Sequence, residues 1–176
     1  GILGDLLAHK IHPLMIASGN PEFPSRVTCL GTKEITTDRD VPDNTQVLTN
    51  FPSGYTLMVL GSTVNQQGVP EMLRGHHGTL YFGGDKVDLK PETPFGDEID
   101  PETFSGLKPS GADFVAEHAD LFDVIRNGGE TKGNIDLSMR AQVVISLAEM
   151  SERMSLTLLF DEQSRKVTTG TGQEVQ

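Results

Sequence analysis

The sequence predicts an α+β fold, an open-faced and mostly antiparallel sheet with helices on one face. Runs of β-forming residues are joined by short Gly-containing turns, which is typical of antiparallel hairpins. Helical patterns lie at the start and near the end of the chain, so the βαβα alternation of a doubly wound nucleotide-binding fold is missing. Such a sheet leaves its second face to be covered, and we therefore expect a homo-oligomer that forms through that face.

The first half of the chain is predicted to contain a helix, a strand and two hairpins. The helical pattern runs from residue 5 to about residue 17 and stops at Ser18-Gly19-Asn20-Pro21. A strand is expected at residues 26–33, followed by an acidic surface loop through Asp38, Asp40 and Asp43. The hairpin strands are expected at residues 46–51, 55–63, 78–82 and 86–89, with Val47, Thr49 and Phe51 on one face.

The second half is predicted to contain a long loop, two helices and a last hairpin. Prolines, acids and glycines at residues 90–111 indicate the irregular loop. One helix is expected from Ala112 to Asn127, and the hairpin strands at residues 156–160 and 165–169. Apolar stripes mark the two helices: Phe114, Leu121, Phe122 and Ile125 in the first, and Met139, Val143, Leu147, Met150 and Met154 in the second.

Composition excludes several classes of partner. Hydrophobic residues make up 36% of the chain and no run approaches the ~20 apolar residues that a bilayer span needs, so no membrane partner is expected. With 14 Lys and Arg against 25 Asp and Glu, the net charge of −11 opposes contact with phosphates, so no nucleic-acid partner is expected. The one cysteine, Cys29, is expected to be a buried thiol, which is compatible with a reducing compartment such as the cytoplasm.

The opening helix carries three residues that suit proton transfer. Asp5, His9 and His12 share one stripe at helical spacing. An imidazole can accept a hydroxyl proton near neutral pH, and a carboxylate one turn away can orient it and stabilise its charged form. Pro13 cannot donate to the carbonyl of His9, which predicts a kink or restart of the helix. The same spacing also fits a capped surface helix with two exposed histidines.

Four segments carry a resemblance to a known family. The segment GDLLAHKIHPLMIASGNPE is similar to the G-G-x-x-x-D-x-x-x-H-x-x-D segment that opens the C-terminal part of Gfo/Idh/MocA oxidoreductases. Further on, NFPSGYTLMV resembles the family's F-P-x-G hairpin, LRGHHGTLYF its G-x-x-G-T-L strand, and AEHADLFDVIRNGGE its H-x-x-x-F-x-x-x-I-R-x-G helix. The four follow in the family's order over essentially the whole chain.

The resemblance implies an enzyme that is only partly present in this chain. Residues 1–176 would form the C-terminal substrate-binding and oligomerisation domain, while NAD or NADP would be bound mainly by an N-terminal Rossmann domain absent from the chain. Asp5 and His9 match the family's catalytic pair, and His12 stands where many members have an Asp that contacts substrate hydroxyls. The implied reaction is hydride transfer between a sugar, polyol or related hydroxylated compound and the nicotinamide, with His9 taking or returning the hydroxyl proton. The isolated chain is expected to be inactive.

Alternatives remain open for the function and for the other histidines. The parent could be an NAD-dependent glycosidase of the same superfamily, or the chain a non-catalytic dimerisation or interaction module. His118 is a candidate substrate contact, with a hydrogen-bonded core or pocket-edge histidine as the competing interpretation. His76 and His77 lie beside glycines and are expected in an exposed turn, so no metal site is expected there, and Asp85 is expected to be a turn residue.

Overall fold

A computed structural model describes residues 1–106 and 114–175, which form two compact units. The first unit contains residues 1–67 and 135–175, and the second contains residues 68–134 apart from the undescribed ones. Within the described residues, no helix is both long and apolar enough to cross a bilayer.

Three α-helices and ten strands follow one another along the described residues. The helices are α1 (Ala8–Ala17), α2 (Phe114–Asn127) and α3 (Ile135–Met154). The strands are β1 (Arg26–Thr32), β2 (Asn44–Asn50), β3 (Thr56–Ser62), β4 (Glu71–Arg74), β5 (Gly78–Gly83), β6 (Lys86–Pro91), β7 (Glu102–Phe104), β8 (Leu158–Asp161), β9 (Lys166–Thr169) and β10 (Glu174–Val175). A π-helical turn (Ile2–Leu6) precedes α1, and a 3₁₀ turn (Thr93–Phe95) lies between β6 and β7.

The first unit is built on a six-stranded sheet in the order β10-β9-β8-β1-β2-β3. Every described pairing is antiparallel, so the predicted α+β fold with an open antiparallel sheet is confirmed. In register, Val47 of β2 lies between Cys29 of β1 and Val59 of β3. Val47, Thr49 and Phe51 are all buried, as predicted, and they form the centre of the inner face of this sheet.

The inner face of the sheet is covered by the opening helix and α3. The opening helix buries a stripe at every fourth position: Leu3, Leu7, Ile11 and Met15. On α3 the buried face is centred on Ala141, Val144 and Ala148, whose small side chains let the helix lie close to β1. The stripe predicted for α3 is right for Leu147, which is buried, and for Val143 and Met150, which are partly buried and pack against the core. It is wrong for Met139 and Met154, both of which are exposed.

One buried serine ties the end of α3 to the sheet. The Ser151 hydroxyl accepts a hydrogen bond from the backbone N–H of Cys29 at 2.8 Å and donates one to the carbonyl of Leu156 at 2.5 Å. The helix ends there because Ser155 has a left-handed φ of 55° and the N–H of Leu156 returns to the carbonyl of Ser151 at 3.1 Å. Burial raises the pKa of the Cys29 thiol to about 11, with a smaller contribution from Glu152, so the buried thiol stays protonated at neutral pH.

The connection between β1 and β2 is organised around a buried carboxylate. A surface loop was predicted here; Asp38 and Asp40 are exposed, but Asp43 is 1% exposed. The Oδ2 atom of Asp43 accepts hydrogen bonds from three successive backbone N–H groups, those of residues 34, 35 and 36, at 3.1, 2.7 and 3.0 Å. These donors hold the pKa of Asp43 below its ordinary value, and the N–H of Thr36 has the largest effect. Burial acts in the opposite direction and raises the pKa.

The second unit contains a four-stranded antiparallel sheet in the order β4-β5-β6-β7, and the helix α2. The hairpin of β5 and β6 and the end of α2 at Gly128, with a φ of 77°, agree with prediction. The prediction of one irregular loop over residues 90–111 is wrong, because its described part contains the 3₁₀ turn and β7; residues 107–111 and the predicted helix start at Ala112 lie outside the described residues. The predicted apolar face of α2 is exposed at Leu121, Phe122 and Ile125, and the Phe114 side chain lies outside the described part.

The Asp43 network predicts a specific loss of stability in acid. Because the folded state lowers the pKa of this carboxyl, its contribution is fully present above the unfolded-state pKa of about 3.9 and is lost as the pH falls through the folded-state value. We expect Asp43→Asn to lower the free energy of unfolding at neutral pH, and the difference from the original chain to shrink below about pH 4. Urea unfolding over a series of pH values measures it. Asp40→Asn, at an exposed position of the same loop, is the control and should change little; a difference for Asp43→Asn that does not vary with pH would contradict the carboxylate's role.

Candidate active site

Asp5, His9 and His12 lie on the side of the opening helix that faces away from the core. Leu3, Leu7 and Ile11 are buried, and the three candidate residues fall on the opposite side at helical spacing. Asp5 and His9 are exposed, and His12 is half-buried. The helix therefore presents one carboxylate and two imidazoles on one surface, as the sequence predicts, and the catalytic roles of these residues stay predictions.

The backbone under these residues is irregular, although not where it was expected. The helix continues through Pro13 without a break, whereas the segment Ile2–Leu6 is π-helical and carries Asp5. Single π-helical turns occur frequently at functional sites, because they change the direction of the side chains that follow. The carbonyl of His9 lacks the usual helical hydrogen bond from the residue four positions later, because that residue is Pro13, which has no backbone N–H.

A glycine in the sheet lets the start of this helix approach closely. Ile2 is 6% exposed, and a Cβ atom at Gly61 of β3 would lie 2.5 Å from its Cγ2 atom and 2.8 Å from the Oγ1 atom of Thr45. Even a Cβ atom at this position would therefore require the side chain of Ile2 or Thr45 to shift. Sequence reasoning missed Gly61; its signal is a glycine inside a β-rich run, which often marks a close approach of another backbone.

Burial and the neighbouring His9 both affect the protonation of His12. Burial lowers the pKa of His12 below its ordinary value, and the positive charge that His9 can carry lowers it further. His12 is therefore mostly uncharged at neutral pH, with one ring nitrogen able to accept a hydrogen bond. Among the described residues, no hydrogen bond or ion pair joins the Asp5 carboxylate to the His9 imidazole, so the orienting role of Asp5 stays a prediction.

Two other features complete the surface around the helix. Asp5 lines a shallow pocket together with Thr36, Arg39 and Thr63, which brings a guanidinium and two hydroxyl groups to the same surface. At the far end of the helix, the predicted F-P-x-G hairpin is held by Glu22, whose carboxylate accepts hydrogen bonds from the N–H and hydroxyl of Ser53 at 3.1 and 2.7 Å. This hairpin is structural: its Phe51 and Tyr55 rings stack 4.2 Å apart, and Gly54 supplies the left-handed φ of 95°.

The remaining histidines lie in the second unit. His118 on α2 is exposed, so the interpretation as a core histidine is wrong, and its role as a substrate contact stays a prediction. His76 and His77 lie in the exposed turn between β4 and β5, as predicted, with both rings edge-on to Phe95 at 5.2 and 4.4 Å. No group of three or more His, Cys, Asp or Glu side chains in the described part of the chain is arranged to hold a metal ion.

Comparison with solved structures relates the fold to oxidoreductases. The chain is similar to an aldose-aldose oxidoreductase from Caulobacter crescentus complexed with glycerol, at 19% identity and a TM-score of 0.70, over 91% of this chain and 48% of that one. It is similar to an oxidoreductase from Agrobacterium radiobacter in complex with NAD⁺, L-tartaric acid and magnesium, at 18% identity and a TM-score of 0.67, over 90% of this chain and 48% of that one. An NAD-binding oxidoreductase from Klebsiella pneumoniae matches at 21% identity and a TM-score of 0.66, over 89% of this chain and 50% of that one.

These comparisons define the fold and the extent of the match. The chain has a fold that occurs in oxidoreductases, two of which bind NAD, and it spans about half the length of each of those chains. No protein-family model matches the sequence, and no curated protein sequence matches it either.

The interaction between the two imidazoles predicts a measurable titration. We expect His12 to protonate at a lower pH than an ordinary histidine with its pKa near 6.5, and His9→Gln to raise the pKa of His12 only part of the way back, because burial remains. Histidine ring signals in NMR spectra recorded over a pH series measure both values. His76→Gln is the control and should leave His12 unchanged; a pKa of His12 that does not respond to His9→Gln would contradict the coupling.

Proposed function

We propose that this chain is the substrate-binding half of an NAD(P)-dependent oxidoreductase of the Gfo/Idh/MocA type that acts on a sugar, a polyol or a related hydroxylated compound. The observation that carries the proposal is the match of about nine-tenths of the chain to about half of several oxidoreductases, two of which bind NAD. The four sequence motifs that resemble the family support it, as do the glycerol and L-tartaric acid bound by two of the similar proteins, both of which carry hydroxyl groups.

The cofactor would be held mainly by a second, nucleotide-binding domain. A dinucleotide site of the Rossmann type needs parallel strands and a glycine-rich loop that leads into a helix. All described strand pairings here are antiparallel, and the glycine-rich segment near residue 171 forms the turn between β9 and β10, where the N–H of Thr169 donates to the carbonyl of Gln173 at 2.8 Å. The described residues therefore do not form such a dinucleotide site. As the family resemblance implies, we expect them to close a substrate pocket over a cofactor held elsewhere and the chain alone to be inactive.

The proposed chemistry divides between the cofactor and the helix. The nicotinamide, when bound, exchanges a hydride with the carbinol carbon of the substrate. His9 is exposed on the helix, free to approach a substrate hydroxyl, and takes or returns its proton. Asp5, one turn earlier, stabilises the charged form of His9, and His12, mostly uncharged at neutral pH, contacts a neighbouring substrate hydroxyl.

The role of His9 is tested in a protein that joins this chain to its nucleotide-binding domain. We expect His9→Ala to lower kcat by about 10²–10⁴-fold, because the proton acceptor is lost, while the Kd for NAD(P) stays nearly unchanged. A screen of sugars and polyols that follows NAD(P)H formation identifies the substrate, and stopped-flow kinetics then measures both constants. His76→Ala, at an exposed turn, is the matched control. Unchanged turnover in His9→Ala would refute the proton-transfer role, and sugar release without net NAD(P)H would indicate a glycosidase instead.

We also propose that two copies of the chain associate through the outer face of the six-stranded sheet. Four large apolar side chains are exposed on this face: Leu30 at 65%, Leu48 at 46%, Met58 at 62% and Leu60 at 48%. The register makes them contiguous, because Leu48 lies opposite Met58 and the row beside it runs from Leu30 through Gln46 to Leu60. An exposed apolar patch on a regular sheet is a typical protein interface, and a second copy offers a surface of identical shape.

The association is tested by placing a charge in this patch. In a symmetric dimer each substitution enters the interface twice, so we expect Met58→Glu to weaken dimerisation by on the order of 100-fold or more while the chain stays folded. Sedimentation over a range of concentrations measures the equilibrium. Ile35→Glu is the matched control, since Ile35 is 66% exposed in the β1–β2 connection and lies outside the sheet. A monomeric original chain at high concentration would contradict the proposal.

A further inference from the structure

Two arginines converge on one aromatic ring in the first unit. Phe23, which is 5% exposed, lies between α1 and β1. The guanidinium carbon of Arg140 on α3 is 5.0 Å from the centre of its ring, and that of Arg165 in the β8–β9 turn is 4.3 Å from it. The distance between the two guanidinium carbons is therefore at most the sum of these two distances. Like charges at such a distance repel each other.

Neither arginine is neutralised by the described residues. The described ion pairs join Lys86 to Asp88, Arg153 to Glu149 and Lys166 to Glu174, and leave both of these arginines out. Arg140 donates one hydrogen bond from its Nη1 atom to the backbone carbonyl of Asp136 at 2.8 Å, and its Nε–H is buried without an acceptor. The ring of Phe23 stabilises the positive charges, but it supplies no oxygen to the remaining N–H donors.

We propose that Arg140 and Arg165 form a binding site for an oxyanion, either a phosphate group or a carboxylate. Each guanidinium offers a planar fork of N–H donors that matches the oxygens of such an anion, and an anion between them removes their repulsion.

The site is separate from the proposed catalytic residues. Arg140, Arg165 and Phe23 belong to α3, the β8–β9 turn and the α1–β1 connection, whereas Asp5 and His9 lie on the outward side of the opening helix. The inference therefore stands on its own, whether or not the chain is part of an oxidoreductase. Its ligand is a small free anion or the anionic group of a larger molecule.

The test is a titration of the 176-residue chain with inorganic phosphate at constant ionic strength, with chloride as the balancing anion. The arginine Nε–H signals in ¹H–¹⁵N NMR spectra are assigned by substitution and followed at each concentration. We expect saturable shifts of the Arg140 and Arg165 signals, and a rise of Tm that saturates over the same range of phosphate concentration. Arg26 is the control, because its Nε and Nη2 atoms donate hydrogen bonds to Asn50, and its signal should show no saturable shift. A parallel titration with acetate distinguishes a site for carboxylates and phosphates alike from one that needs a phosphate.

Variants of the exposed arginine decide between specific binding and a general salt effect. We expect Arg165→Gln to abolish saturation at Arg140 and Arg165→Lys to weaken the affinity for phosphate at least about tenfold, because an ammonium lacks the planar fork. Arg165 lies in an exposed turn, so both variants should fold. Shifts that grow linearly with phosphate, that match those in chloride, or that persist unchanged in Arg165→Gln would overturn the proposal.

Discussion

The packing of the opening helix against α3 and the sheet is the constraint on which the other features depend. Leu3, Leu7, Ile11 and Met15 repeat every fourth residue and turn one side of the helix into the core. This burial decides which side remains for Asp5, His9 and His12, because residues on a helix cannot be rotated independently. At the start of the helix, Gly61 of β3 leaves room for the buried side chain of Ile2. The candidate catalytic surface is thus a consequence of core packing rather than of any bond among the candidate residues themselves.

The buried polar side chains of the first unit stabilise the fold, in contrast to the exposed polar side chains of the opening helix. Asp43 collects three backbone N–H groups of an irregular connection, and Ser151 bridges the N–H of Cys29 in β1 and the carbonyl that follows α3. Each satisfies backbone donors or acceptors that neither a helix nor a strand could satisfy at that point. Both residues are nearly inaccessible, so their chemistry serves the fold and leaves the exposed helix as the surface on which a substrate could be bound.

The sequence predicted those elements that have a regular pattern and a clear boundary. The hairpins around Gly54 and Gly84 and the end of α2 at Gly128 were predicted because a left-handed glycine marks each of them. The strand β4 was missed because its four residues begin with Glu71 and end with Arg74 and show no alternation. The buried face of α3 was predicted only in part, because alanines pack at its centre, where larger side chains seemed the stronger hydrophobic signal. At the site, spacing identified the stripe of Asp5, His9 and His12, whereas the roles of Gly61 and Asp43 depend on neighbours distant in sequence, which no local pattern contains.

The strand order of the six-stranded sheet has a consequence for how the chain folds. The strand β8 pairs with β1, so Leu158 lies opposite Val27 although more than half of the chain separates them in sequence. The first unit is therefore discontinuous, and the whole second unit is inserted into it. Closing so long a loop costs entropy before any contact between β1 and β8 can compensate for it. On the ribosome the opening helix and the first three strands emerge before the second unit, yet their sheet and its helical cover stay incomplete until α3 and β8 have been synthesised.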